Sequence, residues 1–300
     1  MRTRRVIASV CASLALAAMG AFANAAATAP PEPGLVAANP QAPLYARLPA
    51  EVRQAGVLRF VGDSHPPYRN VSDDRKIRDG IDVDLARALS LVLGVPVQHH
   101  VVNSLSATLG GLEAGRYDVA MGPGLATPER LVRFDSVSWL YTKPSFVYPL
   151  QRPARYRRIE DLCGHKIAYV AGSVTERVSQ RVSDRCLKAG LPGVVHVPLV
   201  DGNMSLVATQ AGRADVAGMT MTAALHAAQA NPDLFGAFGD ETNALGVDLV
   251  GLFVTKRSGL APLLLDAMQA LHDSGEYARI MAKWGITAVS VKAPQLNAAR

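Results

Sequence analysis

Apolar and polar positions along this chain fall into short runs of two alternating kinds. "VLRFVG" (57–62) is an apolar run bounded by Gly56 and the loop-like "GDSHPPY". This predicts a buried strand opening into a loop. "DVDLARALSLVLG" then places Val83, Leu85, Ala86, Leu89 and Val92 or Leu93 on one face at helical spacing. Asp82 or Asp84 is the expected cap and Gly94 the stop. "VPVQHHVV" predicts a strand, "LSATLGGLEAG" a helix ended by Gly115, and "YDVAMG" a strand. Strand and helix alternate, which is the pattern of a parallel α/β sheet.

The second half repeats this grammar. "HKIAYVAGS" predicts a strand and turn, "TERVSQRVSDRCLKAG" a helix ended by Gly190, and "VVHVPLV" a strand. "MSLVATQAG" and "ADVAGM" follow as helix and strand, then "DLVGLFVTK" as a strand, and two closing helices break near Ser274-Gly275. One phrase occurs in both halves: Gly115-Arg116-Tyr117-Asp118-Val119-Ala120 and Gly212-Arg213-Ala214-Asp215-Val216-Ala217. It predicts two lobes of shared layout, with Asp118 and Asp215 serving as scaffold at the strand starts. Ligands of open α/β sheets bind beyond the carboxyl ends of the strands, so two such lobes place a ligand between them.

The first 25 residues differ from this pattern. A basic start (Arg2, Arg4, Arg5), an apolar run and small residues at Ala21-Phe22-Ala23 and Ala23-Asn24-Ala25 predict a cleaved signal peptide. The competing reading, a membrane anchor, is disfavoured by the shortness of the apolar run. Both the general secretory and twin-arginine routes stay open. Residues 26–50, rich in Pro and Ala, read as a flexible leader, with order expected from about Val57.

Composition adds exclusions. The 31 Lys and Arg against 25 Asp and Glu give a net charge of +6, and loss of the three leader arginines leaves +3. The basic run Arg152–Asp161 reads as a solvated connector, so no nucleic-acid partner is expected. Cys163 and Cys186 remain after cleavage. In an exported chain an even pair suggests a disulfide, against the alternative of two buried thiols. No metal site is expected: ligand-type spacings are missing, and adjacent His99 and His100 point to opposite faces of a strand. No cofactor motif is complete.

Several stretches together resemble the bacterial extracellular solute-binding proteins of family 3. They are "VLRFVGDSHPPY", "GIDVDLARALSLVLGVPV", "LGGLEAGRYDVAMGPGLATPERLVRFDSVSW", "IEDLCGHKIAYVAGS", "AGRADV" and "SGEYARIMAKWGI". The resemblance implies an α/β, two-lobed type II periplasmic binding fold with a hinge of two crossovers. Lobe 1 would span 51–150 plus 250–290, lobe 2 151–249, and a tail 291–300. It implies that Cys163 pairs with Cys186, that the protein is a periplasmic monomer, and that it delivers a small molecule to an ABC permease without being an enzyme.

The resemblance also implies site residues. Arg130, in "TPER", would fork onto a ligand carboxylate, as a guanidinium does with a planar anion. The alternative is a surface pair with Glu129. Ser173 and Val174, at a helix start, would bind the same anion through backbone N–H groups, Ser173 being equally suited as an N-cap. Asp63, His65 and Tyr68 lie in the loop whose aromatic packs on the ligand. Two positions depart from amino-acid binders: the ammonium-accepting positions hold Leu125 and Thr220. Gly122 and Pro123, with Gly124, replace a more polar segment and bring backbone close to the ligand. The ligand expected is therefore a carboxylate without an ordinary α-amino group, an organic acid or an atypical amino acid. Two other functions share the scaffold: a cyclohexadienyl-dehydratase-like enzyme using Asp63, His65, Glu176 or Glu241, and a sensor accessory acting on a membrane partner.

Overall fold

The computed structural model describes residues 37–72, 74–151, 156–240 and 245–298. The expected signal peptide and Glu241 lie outside them. Elements follow in the order α1 (Ala50–Ala55), β1 (Leu58–Gly62), β2 (Asn70–Val71), β3 (Ile77–Asp79), α2 (Ile81–Leu93), β4 (Val97–Val101), α3 (Leu105–Glu113), β5 (Val119–Ala120), α4 (Pro128–Arg133), β6 (Phe134–Thr142) and β7 (Pro144–Pro149). The rest are β8 (Lys166–Val170), α5 (Val174–Lys188), β9 (Val195–Leu199), α6 (Gly202–Gln210), β10 (Val216–Thr220), α7 (Met221–Ala230), β11 (Phe235–Gly239), β12 (Asp248–Thr255), α8 (Leu260–Asp273) and α9 (Glu276–Lys283).

Two five-stranded sheets result, ordered β4-β1-β5-β12-β6 and β11-β7-β10-β8-β9. In each, three strands are parallel, as alternating strand and helix requires. The other two join by antiparallel pairing: β12 with β5 and β6 in the first sheet, and β7 with β10 and β11 in the second. The chain crosses between sheets twice, at Lys143 between β6 and β7 and at 240–247 between β11 and β12. This corrects one expected boundary. Residues 144–149 belong to the second sheet rather than the first lobe, because β7 runs antiparallel to both β10 and β11.

The expected flexible leader is also corrected. Asn39 N donates to Gly94 O and Leu44 N to Val92 O, while Ala42, Leu48 and Val52 are buried. Asn39, Ala42 and Tyr45 lie against Gly94 at the end of α2, and α1, which carries Val52, follows. At the other end, the tail lies along the free edge of β6. Ser138 N donates to Gln295 O and Asn297 N to Ser136 O. An edge strand offers unpaired backbone groups, and here the tail covers them.

The repeated phrase has the same structural task twice. Asp118 Oδ2 accepts from Arg59 N at 2.8 Å, and Asp215 Oδ2 accepts from Lys166 N at 2.8 Å. Each aspartate thereby ties the start of its own strand to the start of the neighbouring one. Cys163 and Cys186 form a disulfide that joins the approach to β8 to the last turn of α5.

The expected cap of α2 is replaced. Gly80 occupies the N-cap, and Asp82 turns inward to pair with Arg69 at 3.1 Å. The two side chains are 0% and 1% exposed. A Cβ on Gly62 would overlap the Arg69 guanidinium and the Met121 carbonyl, so the end of β1 requires glycine. Gly62→Ala is expected to destabilise the protein by roughly 3 kcal/mol, from overpacking beside a buried ion pair. Gly110→Ala, on a helix with open space, should be neutral or slightly stabilising. Chemical denaturation of both variants checks this, and equal effects would refute it.

His99 and His100 do point apart: His99 packs edge-on to Phe60, and His100 against Tyr117. Burial lowers the His99 pKa to about 3, with Arg69 and His100 adding to the effect. The unfolded chain therefore takes a proton first as pH falls, and stability is lost below about pH 6.5. Between pH 7.5 and 5 this group should account for on the order of 2 kcal/mol. His99→Phe should flatten that part of the pH dependence of urea unfolding. An unchanged acid slope would show that His99 is not its source.

Candidate functional site

The parallel strands β1, β5, β8 and β10 end at one cavity of about 70 Å³. The reason is local. β5, β8 and β10 each run into glycine-containing or short polar turns that start a new helix, and those helix starts face the cavity. Thr127 caps α4 by accepting from Arg130 N, and Ser173 caps α5 by accepting from Thr175 N. Asp201 caps α6 through Met204 N, and Thr220 caps α7 through Ala223 N. Gly172, at φ +71°, supplies the left-handed turn before Ser173 that an L side chain would strain.

Of the residues expected from sequence, Asp63, His65, Gly122, Pro123, Leu125, Arg130, Ser173, Val174 and Thr220 all line this cavity. Tyr68 does not. Backbone bonds between His65 and Arg69, about 3.1 Å in each direction, fold their loop into a tight turn. The turn aims His65 at the cavity and sends Tyr68 into the core beside Trp139, ring centroids 6.0 Å apart. Its hydroxyl lies 3.3 Å from Thr220 Oγ1, so it supports the wall from behind. Burial pushes the phenol up to about 12.

Arg130 is the cation of the site. Its Nη1 donates to Leu125 O at 2.9 Å and its Nη2 to Gly172 O at 3.3 Å. The alternative pairing with Glu129 does not occur, because Glu129 accepts from Arg177 Nη1 at 3.1 Å. Among the described residues no carboxylate lies within ion-pair distance of Arg130. Burial draws its pKa down to about 10, which leaves it charged at neutral pH. A desolvated guanidinium with two neutral acceptors and further N–H groups is poised for an anion.

The loop after β1 supplies the titratable pair Asp63 and His65. Burial raises the Asp63 carboxyl, offset in part by His65 and Arg69. Burial likewise lowers His65, which is 8% exposed and carries an enclosed Nε2 without a hydrogen-bond partner. The His65 ring lies against Gly202 at the start of α6, where a Cβ would come within 2.9 Å of Cε1. Glu176, another acid-base candidate, instead accepts from Gly172 N at 2.7 Å. Beneath the floor, burial pushes Asp82 up to about 7 against the pull of Arg69.

Sequence reasoning missed Leu105, Thr108, Leu109, Thr175 and Phe253. Leu105, Thr108 and Leu109 share a face of α3, a signal available from helical spacing. Phe253 was legible only as a strand residue, since its place depends on β12 returning into the first sheet. No group of metal-ligating side chains occurs among the described residues.

Comparison with known proteins agrees with this architecture. The arginine-binding protein ArgT of Corynebacterium glutamicum is 26% identical over 250 residues, 83% of this chain and 80% of that protein. An amino-acid ABC transporter substrate-binding protein of Streptococcus pneumoniae, solved with L-arginine, superposes with a TM-score of 0.67 at 20% identity. That match covers 80% of this chain and 99% of the other. An ancestral amino-acid-binding protein described as a precursor of cyclohexadienyl dehydratase gives 0.64 at 21% identity, covering 78% and 97%. Residues 58–287 match the bacterial extracellular solute-binding proteins, family 3, and the chain belongs to that family.

Proposed function

We propose that the protein captures a small carboxylate-bearing ligand, an organic acid or an atypical amino acid, between two closing lobes and hands it to an ABC importer. The observation that carries this reading is Arg130: a half-buried cation at the cavity wall, bonded to two carbonyls and to no carboxylate among the described residues. The N-terminus of α5 lies beside it and adds the Val174 backbone N–H, whereas the Ser173 N–H donates to Val170 O; a helix start is a favourable setting for an anion. Lobe 1 would hold the first sheet and lobe 2 the second, moving about Lys143.

The ammonium side of an ordinary amino acid is unprovided for. Leu125 offers an apolar side chain, and the Thr220 hydroxyl is already engaged with Ala223 N and Tyr68. An ammonium enclosed there without an anion is disfavoured by several kcal/mol. The protein works as a periplasmic monomer with no cofactor, its signal peptide removed. Binding rather than turnover is the function: the curated relative is a binding protein, and Glu176 is committed to the Gly172 backbone.

Calorimetric titration with a panel of carboxylates and amino acids tests this. Arg130→Ala should weaken carboxylate binding about 100-fold, the scale of a lost charge-assisted bidentate pair of roughly 3 kcal/mol. Arg130→Lys should recover only part of it. Undiminished binding by Arg130→Ala would sink the proposal.

A further inference from the structure

Arg130 and the α5 N-terminus account for one end of a ligand, while the side chains around the remaining wall describe the other. Leu105 and Leu109, one helical turn apart on α3, face the cavity together. Met121, Met219 and Phe253 join them. The Phe253 ring is fixed from two sides. It packs edge-on to Phe134 at 6.5 Å, and it occupies the space that a Cβ on Gly124 would need, 2.8 Å from Cε2. Phe253 also belongs to a second hydrophobic cluster with Val61, Leu112, Ala120 and Phe134, separate from the main core. The cavity wall is thus the open face of a packed apolar cluster.

The acid inventory of the same wall is short. Asp63 is the one carboxylate among the lining residues, and it shares its turn with His65 and Arg69. Asp82, about 4.0 Å from where a Gly122 Cβ would stand, is committed to Arg69, Glu176 to Gly172 N and Asp201 to Met204 N. A guanidinium or ammonium tail seated against Leu105, Leu109 and Phe253 would lose its hydration among apolar side chains, with Asp63 on the loop after β1 as its one acidic neighbour in the lining, which is unfavourable. A second carboxylate would fare no better, since Arg130 is the one Lys or Arg lining the cavity among the described residues. The space is also small. A dry engineered cavity of about 150 Å³ accepts benzene. The 70 Å³ here suits a body of about three to five carbons by that measure.

We propose that the ligand is a compact apolar monocarboxylate, a short branched aliphatic acid or its 2-oxo counterpart, with a single negative charge and no cationic group. Its carboxylate meets Arg130, and its hydrocarbon body lies on Leu105, Leu109 and Phe253. This inference rests on the carboxylate reading above and narrows it. It sets this chain apart from its arginine-binding relative at the level of the wall rather than the fold.

The test is a competitive and direct calorimetric titration of the mature protein with 3-methylbutanoate, 4-methyl-2-oxopentanoate, L-glutamate and L-arginine. A Leu105→Asp variant is measured in parallel. Position 105 opens α3, where an aspartate suits the helix dipole, so the variant should fold with a thermal midpoint near that of the parent. One or both aliphatic acids should bind at least about 30-fold more tightly than arginine or glutamate, the scale of one unpaired buried charge. Leu105→Asp should weaken the aliphatic acids and raise arginine affinity, a gain that misfolding cannot produce. Arginine or glutamate binding as tightly as the aliphatic acids, and lost in Arg130→Ala, would overturn this inference while leaving the carboxylate site standing. Absence of binding by every carboxylate in the panel would overturn both.

Discussion

The chamber stands on one buried ion pair. Arg69 and Asp82, 3.1 Å apart and almost wholly enclosed, join the loop after β1 to the first turn of α2. Burying two charges costs more than an exposed pair returns, so such a pair is weak evidence for stability. Its consequences are positional. Arg69 fills the space above Gly62, donates to Asp63 O, and closes the turn that presents His65. Its field also reaches Asp63, His65 and His99. Asp82 lies directly beneath Gly122. The order of the whole floor therefore depends on two residues that no ligand touches.

Above that floor the two halves apply one rule. An aspartate at the head of a strand ties it to its neighbour, the strand ends at the cavity, and a capped helix begins there. Asp118 and Asp215 perform the first step with the same atoms and nearly the same distances. What differs is the turn at the far end. After β5 the chain passes through Gly122-Pro123-Gly124 to Leu125 and Arg130, whereas after β10 it caps α7 at once with Thr220. The shared part builds the scaffold, and the unshared part makes the lining chemically lopsided.

Much of this was legible in the sequence, and the limits have physical causes. Local periodicity and glycine stops located α2, α3, α5, α6, α8 and α9, because amphipathic spacing and left-handed C-caps are short-range signals. The strands β6 and β7 were not separable by pattern: a single lysine, Lys143, divides two largely buried runs, and their membership in different sheets is a tertiary fact. The leader deceived for the converse reason. Its proline and alanine content resembles a linker, yet Ala42 and Leu48 find a surface on α2 that composition cannot reveal. Within the site, nine of the ten expected residues reached the cavity wall, since motif positions fix strand ends. Tyr68 failed because the five-residue turn His65–Arg69 decides which aromatic faces in. Leu105 and Phe253 were missed because the wall they make exists only once α3 and β12 meet.

The contacts that span the cavity are few and weak. Four named contacts join the two sheet-bearing halves around the cavity: Arg130 to Gly172 O, Arg177 to Glu129, Tyr68 to Thr220 and Asn203 to Ser64. Arg177 and Glu129 are exposed, and pairs of that kind contribute about 0–1 kcal/mol. The contacts of Arg130 and Tyr68 are long, at 3.3 Å each, near the limit of useful hydrogen bonds. Such a set can align the halves without holding them shut against the entropy of opening. A carboxylate on Arg130 that also reaches the α5 N-terminus would bind both halves at once, because Arg130 projects from the first and Ser173 from the second. On the proposed reading, such a carboxylate would add a charge-assisted bridge along the line where the protein supplies a 3.3 Å carbonyl contact, and would favour the closed arrangement by that difference.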